Sequence, residues 1–239
     1  MTDARALWPG GPVYAAGEAF PLSTDSVLLA DFVPAAGALR GIDLGCGAGL
    51  LSLLLLSRTE KLQMSGLELD ARAAALAREN LARNGLDARS AVVEGDLRRC
   101  RELFAAGRFD LAVANPPYFP EGRGRSSPEP SRAAARQESC CSLEELCAAA
   151  AFLLRSGGRL CLVHRPERLS ELLCALSARG LEPKRLRLVC HRAEAPPSLV
   201  LVEGRRNGRP GLKIEAPLIL SAADGGESEE YRRIYRREV

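Results

Sequence analysis

Apolar residues fall into short runs separated by turn residues, and the runs switch between two periods. Seven runs have the length and β-branched or alternating character of buried strands. They are Gly41–Leu44, Leu62–Leu69, Ser90–Glu94, Phe109–Ala114, Arg159–Val163, Arg185–Cys190 and Leu199–Val202. Helical stretches lie between them. Leu50 to Leu56 is uniformly apolar, and Ala71 to Asn84 carries an Ala/Leu stripe that stops at Gly85. Ser142-Leu143-Glu144-Glu145 is a capping box that opens a helix to about Leu154, with Gly157-Gly158 as its stop. Pro166 opens another, with Leu169, Leu172, Leu173 and Leu176 inward and Gly180 past its end. Upstream, Ser23-Thr24-Asp25 caps a short helix that Pro34 ends. Strands alternating with helices predict an α/β architecture. It has a seven-stranded, mostly parallel sheet, helices on both faces, and the last two strands as an antiparallel pair closing the sheet. Residues 1 to 22, rich in Gly and Pro, read as an irregular cap. Three parts follow: a cap and helix (1–36), the sheet domain (37–205) and a carboxyl-terminal extension packed on it (206–239).

The stretch Asn115-Pro116-Pro117-Tyr118 stands out. It follows the strand Phe109–Ala114, and two prolines, lacking N–H donors, cannot continue a ladder. The chain must turn out of the sheet there. The turn fixes a carboxamide, backbone carbonyls and an aromatic ring at a strand's carboxyl end, the edge where open α/β sheets bind ligands. Two acceptors, the Asn115 side-chain oxygen and the Pro116 carbonyl, can draw a planar amino group toward a more nucleophilic, tetrahedral state. Tyr118 can stack on a flat base. That chemistry suits methyl transfer to an exocyclic nitrogen. A plain strand-ending turn would carry the same Asn-Pro signal.

The polar residues upstream fall on the same edge. Asp43 ends the first strand, and Gly45-Cys46-Gly47-Ala48-Gly49 makes the turn into the helix at Leu50. Glycines there let a ligand approach the backbone. Glu68 ends the second strand 25 residues after Asp43, near the spacing of an acid that holds ribose hydroxyls. Leu69 follows it, and Asp70 fits better as a helix cap. Asp96, beside Leu97, follows the third strand and can accept from an adenine amino group or serve as a solvated turn residue.

Composition narrows the classes. No apolar run spans a bilayer, and Met1 to Gly10 lacks the pattern of a signal peptide. The eight cysteines form no C-x-x-C pair and only two histidines are present, so no metal site is expected. The cysteines read as reduced core thiols of a cytoplasmic protein. The net charge of +3 permits a local basic face without demanding one. Residues 121–139 carry Arg123, Arg125, Arg132 and Arg136 in a Gly/Ser/Pro setting, which reads as a mobile loop that meets phosphates or as a solvated linker. The tail Tyr231 to Arg237 reads as a short amphipathic helix or an RNA contact.

The order of strand, glycine turn, acid, acid and Asn-Pro-Pro-Tyr resembles the Rossmann-like class I S-adenosylmethionine (SAM) methyltransferases. By that resemblance SAM is the cofactor. Asp43, Gly45 and Gly47 line its methionine part, Glu68 binds its ribose and Asp96 its adenine, and Cys46, Leu69, Leu97 and Asn115 also bind the cofactor. Asn115, Pro116, Pro117 and Tyr118 hold the target amino group. Pro21-Leu22-Ser23-Thr24-Asp25-Ser26-Val27-Leu28-Leu29-Ala30, His164-Arg165-Pro166-Glu167-Arg168-Leu169 and Leu181-Glu182-Pro183-Lys184-Arg185-Leu186 resemble one branch more closely. That branch is the bacterial tRNA(Val) adenine-N6 methyltransferases, which implies a tRNA adenine beside the anticodon as substrate and a monomer as the favoured state. The rivals are a protein glutamine N5-methyltransferase, an rRNA guanine N2-methyltransferase, and a non-catalytic RNA- or SAM-binding module.

Overall fold

The structure is a computed structural model that describes residues 4–16, 22–116 and 141–236. Pro117, Tyr118 and the arginine-bearing loop at 121–139 lie outside the described residues. In chain order the strands are β1 (Ala4–Ala6), β2 (Val13–Ala15), β3 (Arg40–Leu44), β4 (Gln63–Glu68), β5 (Ser90–Glu94), β6 (Phe109–Ala114), β7 (Leu154–His164), β8 (Leu181–Cys190), β9 (Pro197–Arg206), β10 (Lys213–Ile214) and β11 (Leu218–Ile219). The α-helices are α1 (Thr24–Phe32), α2 (Leu50–Leu56), α3 (Ala71–Arg83), α4 (Cys100–Leu103), α5 (Leu143–Leu153), α6 (Leu169–Ala178) and α7 (Glu229–Ile234).

The main sheet runs β10-β8-β9-β7-β6-β3-β4-β5, with β11 also on β8. Strands β5, β4, β3, β6 and β7 are parallel neighbours, and β9 is antiparallel to both β7 and β8. The expected antiparallel pair is therefore present but placed differently. β9 returns beside β8 on its inner side, between β7 and β8. The edge is lengthened by β10 and β11, two-residue strands too short to carry a periodic signal. The count thus exceeds the seven expected.

Period-2 alternation splits the core into two layers. Val113, Cys161, Val163 and Leu201 face the helices α1 and α2, with Leu28, Leu53 and Leu55 opposite. Ala112, Ala114, Leu160, Leu162 and Val202 face α5 and α6, with Leu146, Leu153, Leu172 and Leu176 opposite. Both faces of the sheet are covered, which is why its strands read as nearly continuous apolar runs.

Several boundaries differ from those the sequence predicts, and β8 and β9 are both longer than the runs expected for them. Gly157-Gly158 does not stop α5. The helix ends at Leu153, and β7 begins at Leu154 and carries both glycines. Residues 166–168 form a 3-10 turn before α6. The described part of the amino-terminal cap is a regular antiparallel hairpin, with Ala4, Arg5 and Ala6 paired to Ala15, Tyr14 and Val13. Its brevity hid it from periodicity, and Trp8 closes its turn against Gly11, where an added Cβ would run into the indole.

Candidate active site

The glycine turn is built by backbone geometry that side chains rarely adopt. Gly45, Gly47 and Gly49 have φ of 73°, 53° and 81°. The N–H groups of Gly45 and Cys46 donate to the Leu67 carbonyl at 2.8 and 3.2 Å, so the turn is hung from β4. A Cβ on Gly45 would meet nothing within 4 Å, so this face of the turn is open to a ligand, whereas Gly49 packs closely on Ala77 of α3. Cys46 turns inward. It is 7% exposed and its thiol lies over Gly66, so only its backbone borders the open side. Burial raises that thiol well above its ordinary range.

Glu68 stands where expected, at the end of β4. One carboxylate oxygen accepts from Gly47 N at 2.7 Å and the other from Asp70 N at 2.9 Å. A carboxylate has further lone pairs for a vicinal diol. Asp70 is the helix cap, accepting from Arg72 N and Ala73 N, as expected. Leu69, 40% exposed, offers an apolar surface beside Glu68.

Asp43 is not the acid at an open strand end that its position suggests. It lies inside β3, between Gly66 and Val113, and is 1% exposed. Its carboxylate accepts from Ser52 N at 3.2 Å and Ser52 Oγ at 2.9 Å, tying β3 to the first turn of α2. Burial, with Glu68 adding to it against the lowering effect of Ser52, pushes its pKa up to about 7. Asp96 caps the short turn after β5 by accepting from Arg98 N, and the Arg98 guanidinium closes back on the same carboxylate at 2.6–2.9 Å. That hydrogen bond and charge hold Asp96 below the usual carboxylate range. Leu97 is half-buried beside it and packs on the α5–α6 layer.

Asn115 follows the last residue of β6, one strand from Asp43. Its Nδ2 donates to Ser26 Oγ at 2.9 Å, with Ser23 Oγ at 3.5 Å. Ser23 is the N-cap of α1, and Ser26 is buried in its first turn. With Nδ2 fixed, the plane of the carboxamide and the direction of Oδ1 are fixed too. Sequence reasoning missed this role of Ser23 and Ser26. The signal lay in the Ser-Thr-Asp-Ser stretch, but Ser26 and its partner are 89 residues apart. His164 ends β7, next to the β6 edge, and is 1% exposed. Burial lowers its pKa. Among the described residues, no three His, Cys, Asp or Glu side chains are grouped to hold a metal ion.

Glycine turn, Glu68 and Asn115 therefore share one edge of the sheet, and an open backbone cradle faces them. Residues 17–175 match the family model of the methyltransferase small domain, more than half of the chain. The chain belongs to this family. Among curated relatives, the tRNA1(Val) (adenine(37)-N6)-methyltransferase of Tolumonas auensis is 33% identical over 215 residues, covering 89% of this chain and 87% of its own length. The relative of the same name from Porphyromonas gingivalis is 33% identical and covers 91% of this chain and 88% of its own. Among solved structures, a predicted O-methyltransferase from Agrobacterium tumefaciens superposes with a TM-score of 0.72 at 24% identity, covering 89% of this chain and 95% of its own. The methyltransferase therefore has the class I fold expected from its strand order. No described helix is long and apolar enough to cross a membrane.

Proposed function

We propose that this methyltransferase transfers the methyl group of SAM to the exocyclic N6 amino group of an adenine in tRNA, next to the anticodon. The observation that carries the chemistry is the Asn115–Ser26 hydrogen bond, which presents a fixed acceptor oxygen at the carboxyl end of β6. The relatives' shared name, over nearly the whole chain, supports tRNA adenine as the substrate.

SAM supplies an electrophilic methyl group when bound. The turn at Gly45–Gly47 and the Glu68 carboxylate fit a cofactor with a polar chain and a ribose diol. Asp43, sealed under Ser52, acts by holding the turn's floor. Asp96 would meet the adenine only at the edge its Arg98 pair leaves. Asn115 Oδ1 and the Pro116 carbonyl accept from the target amino group. That withdraws its lone pair from the ring and points it at the methyl. Tyr118 stacks the base. Orientation and exclusion of water then provide most of the rate.

The test is incubation with labelled SAM and separate pools of tRNA, rRNA and protein, followed by nucleoside mass spectrometry. N6-methyladenosine in tRNA is expected. Label appearing only on a protein glutamine, or only on guanine of rRNA, would overturn the substrate assignment.

A further inference from the structure

On the edge of the sheet opposite Asn115 lies a cavity of about 450 Å³. It opens where β6 and β7 begin and where the antiparallel β9 ends. At ~3.3 Å per strand residue, the length of β6 puts it roughly 20 Å from the methyl-transfer edge. Four arginines from four different elements converge on it: Arg101 of α4, Arg155 at the start of β7, Arg179 at the end of α6, and Arg206 at the end of β9. Among the described residues, no carboxylate lines it. Asp110 of β6 pairs with Arg155, and among the described residues the other three arginines make no ion pair. A chain with a net charge of only +3 has thus gathered four cations around one concavity.

Arg206 is half-buried and the other three arginines are exposed. Arg206 donates to the Arg179 carbonyl at 2.7 Å, and the Arg101 guanidinium lies over Phe152 at 4.5 Å. Asn207, in the left-handed region at φ 54°, donates to Ser156 Oγ and so fixes the polar rim between β9 and β7. Guanidinium forks match phosphate oxygens in pairs. Some of this charge complements the carboxyl ends of α5 and α6. Two helix ends do not call for four cations around a void large enough for a mononucleotide.

We propose that this cavity binds a phosphate group, either a backbone phosphate of the RNA substrate or a free phosphate compound up to the size of a nucleotide. The RNA source rests on the tRNA reading above, and the free-phosphate source does not.

The test uses the full chain saturated with S-adenosylhomocysteine, so that the cofactor site is blocked. One arm titrates inorganic pyrophosphate and AMP by calorimetry. The other measures tRNA transcript binding across a salt series. Both arms compare the wild type with the charge-neutral variant Arg101→Gln/Arg179→Gln, whose two side chains make no ion pair among the described residues. If the ligand is a free phosphate, the wild type binds pyrophosphate or AMP, the variant loses that binding, and tRNA affinity is unchanged. If it is an RNA phosphate, the variant's tRNA affinity falls on the order of tenfold and its salt slope flattens by up to ~2. S-adenosylhomocysteine affinity and Tm stay at wild-type values in either case. Should the double variant fail to fold, Arg179→Gln alone and the wild-type titrations decide the matter. The proposal is overturned if the wild type binds neither small anion and the neutralised chain keeps the wild-type tRNA affinity and salt slope. It would then follow that the arginines serve the helix ends alone.

Discussion

Ser26→Ala tests the site's central contact without touching a group that meets substrate. The hydroxyl accepts from Asn115 Nδ2 at 2.9 Å in a position only 7% exposed, and the alternative acceptor, Ser23 Oγ, is at 3.5 Å. Truncation removes one buried hydrogen bond and strands an amide donor, at a cost of about 1–2 kcal/mol. The carboxamide can recover part of that by rotating, and rotation swings Oδ1 away from the incoming amine. The same energy then appears in the transition state, and about 1.4 kcal/mol is tenfold in rate. Turnover on tRNA should fall by roughly 5- to 30-fold with KM for tRNA and affinity for SAM within about twofold of wild type. Ser26→Thr, which restores a hydroxyl, should recover part of kcat. A merely structural serine would lower Tm and leave kcat of the folded fraction alone. That result, or a loss carried entirely by KM, would refute the positioning argument.

Other substitutions separate the remaining parts. Asn115→Ala removes the acceptor itself and should lower kcat by about 10²-fold or more while tRNA binding, measured by filter retention, survives. Glu68→Ala releases both the Gly47 and Asp70 N–H groups, so SAM affinity by calorimetry should weaken by about 1–3 kcal/mol. Asp43 binds its proton more tightly folded, with a pKa of about 7, than unfolded, near 3.8. Its contribution to stability is therefore full below about pH 4 and is lost as pH rises to about 7, at about 1.4 kcal/mol for each pH unit between those values. Asp43→Asn keeps an acceptor for Ser52 and abolishes that trend. The difference in unfolding free energy between Asp43→Asn and wild type, followed by urea melts from about pH 4 to 8, should climb by a few kcal/mol and level off near pH 7.

Much of the scaffold was legible because the central strands are buried on both faces, and α3 and α6 run out at Gly85 and Gly180. Leu50 to Leu56 and Ala71 to Arg83 fall where their periodicity placed them. Strand order across the sheet is another matter. Local periodicity carries no sign of β9 slipping between β7 and β8, since either slot would satisfy the same alternation. The candidate site divides similarly. Glycines and strand-end acids declare themselves by type and spacing, which found Glu68 and the turn. Partners do not, because a hydrogen bond between residues 26 and 115 has no local trace. The burial of Asp43 was hidden for a like reason, as only its partner Ser52 distinguishes it from an acid facing a ligand. Asp96 was the exception. Arg98 stands two residues on, and an aspartate accepting from the residue two positions later is a local turn pattern.

The amino-terminal hairpin is tied to the glycine turn by contacts that leave no local trace in the sequence. Asn80 and Asn84 of α3 rise one turn apart, ~6 Å along the helix. Alternate residues of a strand are ~6.6 Å apart. The two spacings match closely enough for both carboxamides to pair with β2. Asn80 accepts from Ala15 N and donates to its carbonyl, and Asn84 does the same for Val13. The helix thus completes a ladder that β2, lacking a second strand neighbour among the described residues, would otherwise leave unmet. Asn80 also donates to the Ala48 carbonyl at 2.9 Å, inside the glycine turn, and is itself fully buried. One amide therefore clamps hairpin, helix and turn together. Replacing it with an apolar residue of similar size would strand groups in all three, so the hairpin and the glycine turn are tied through this one amide.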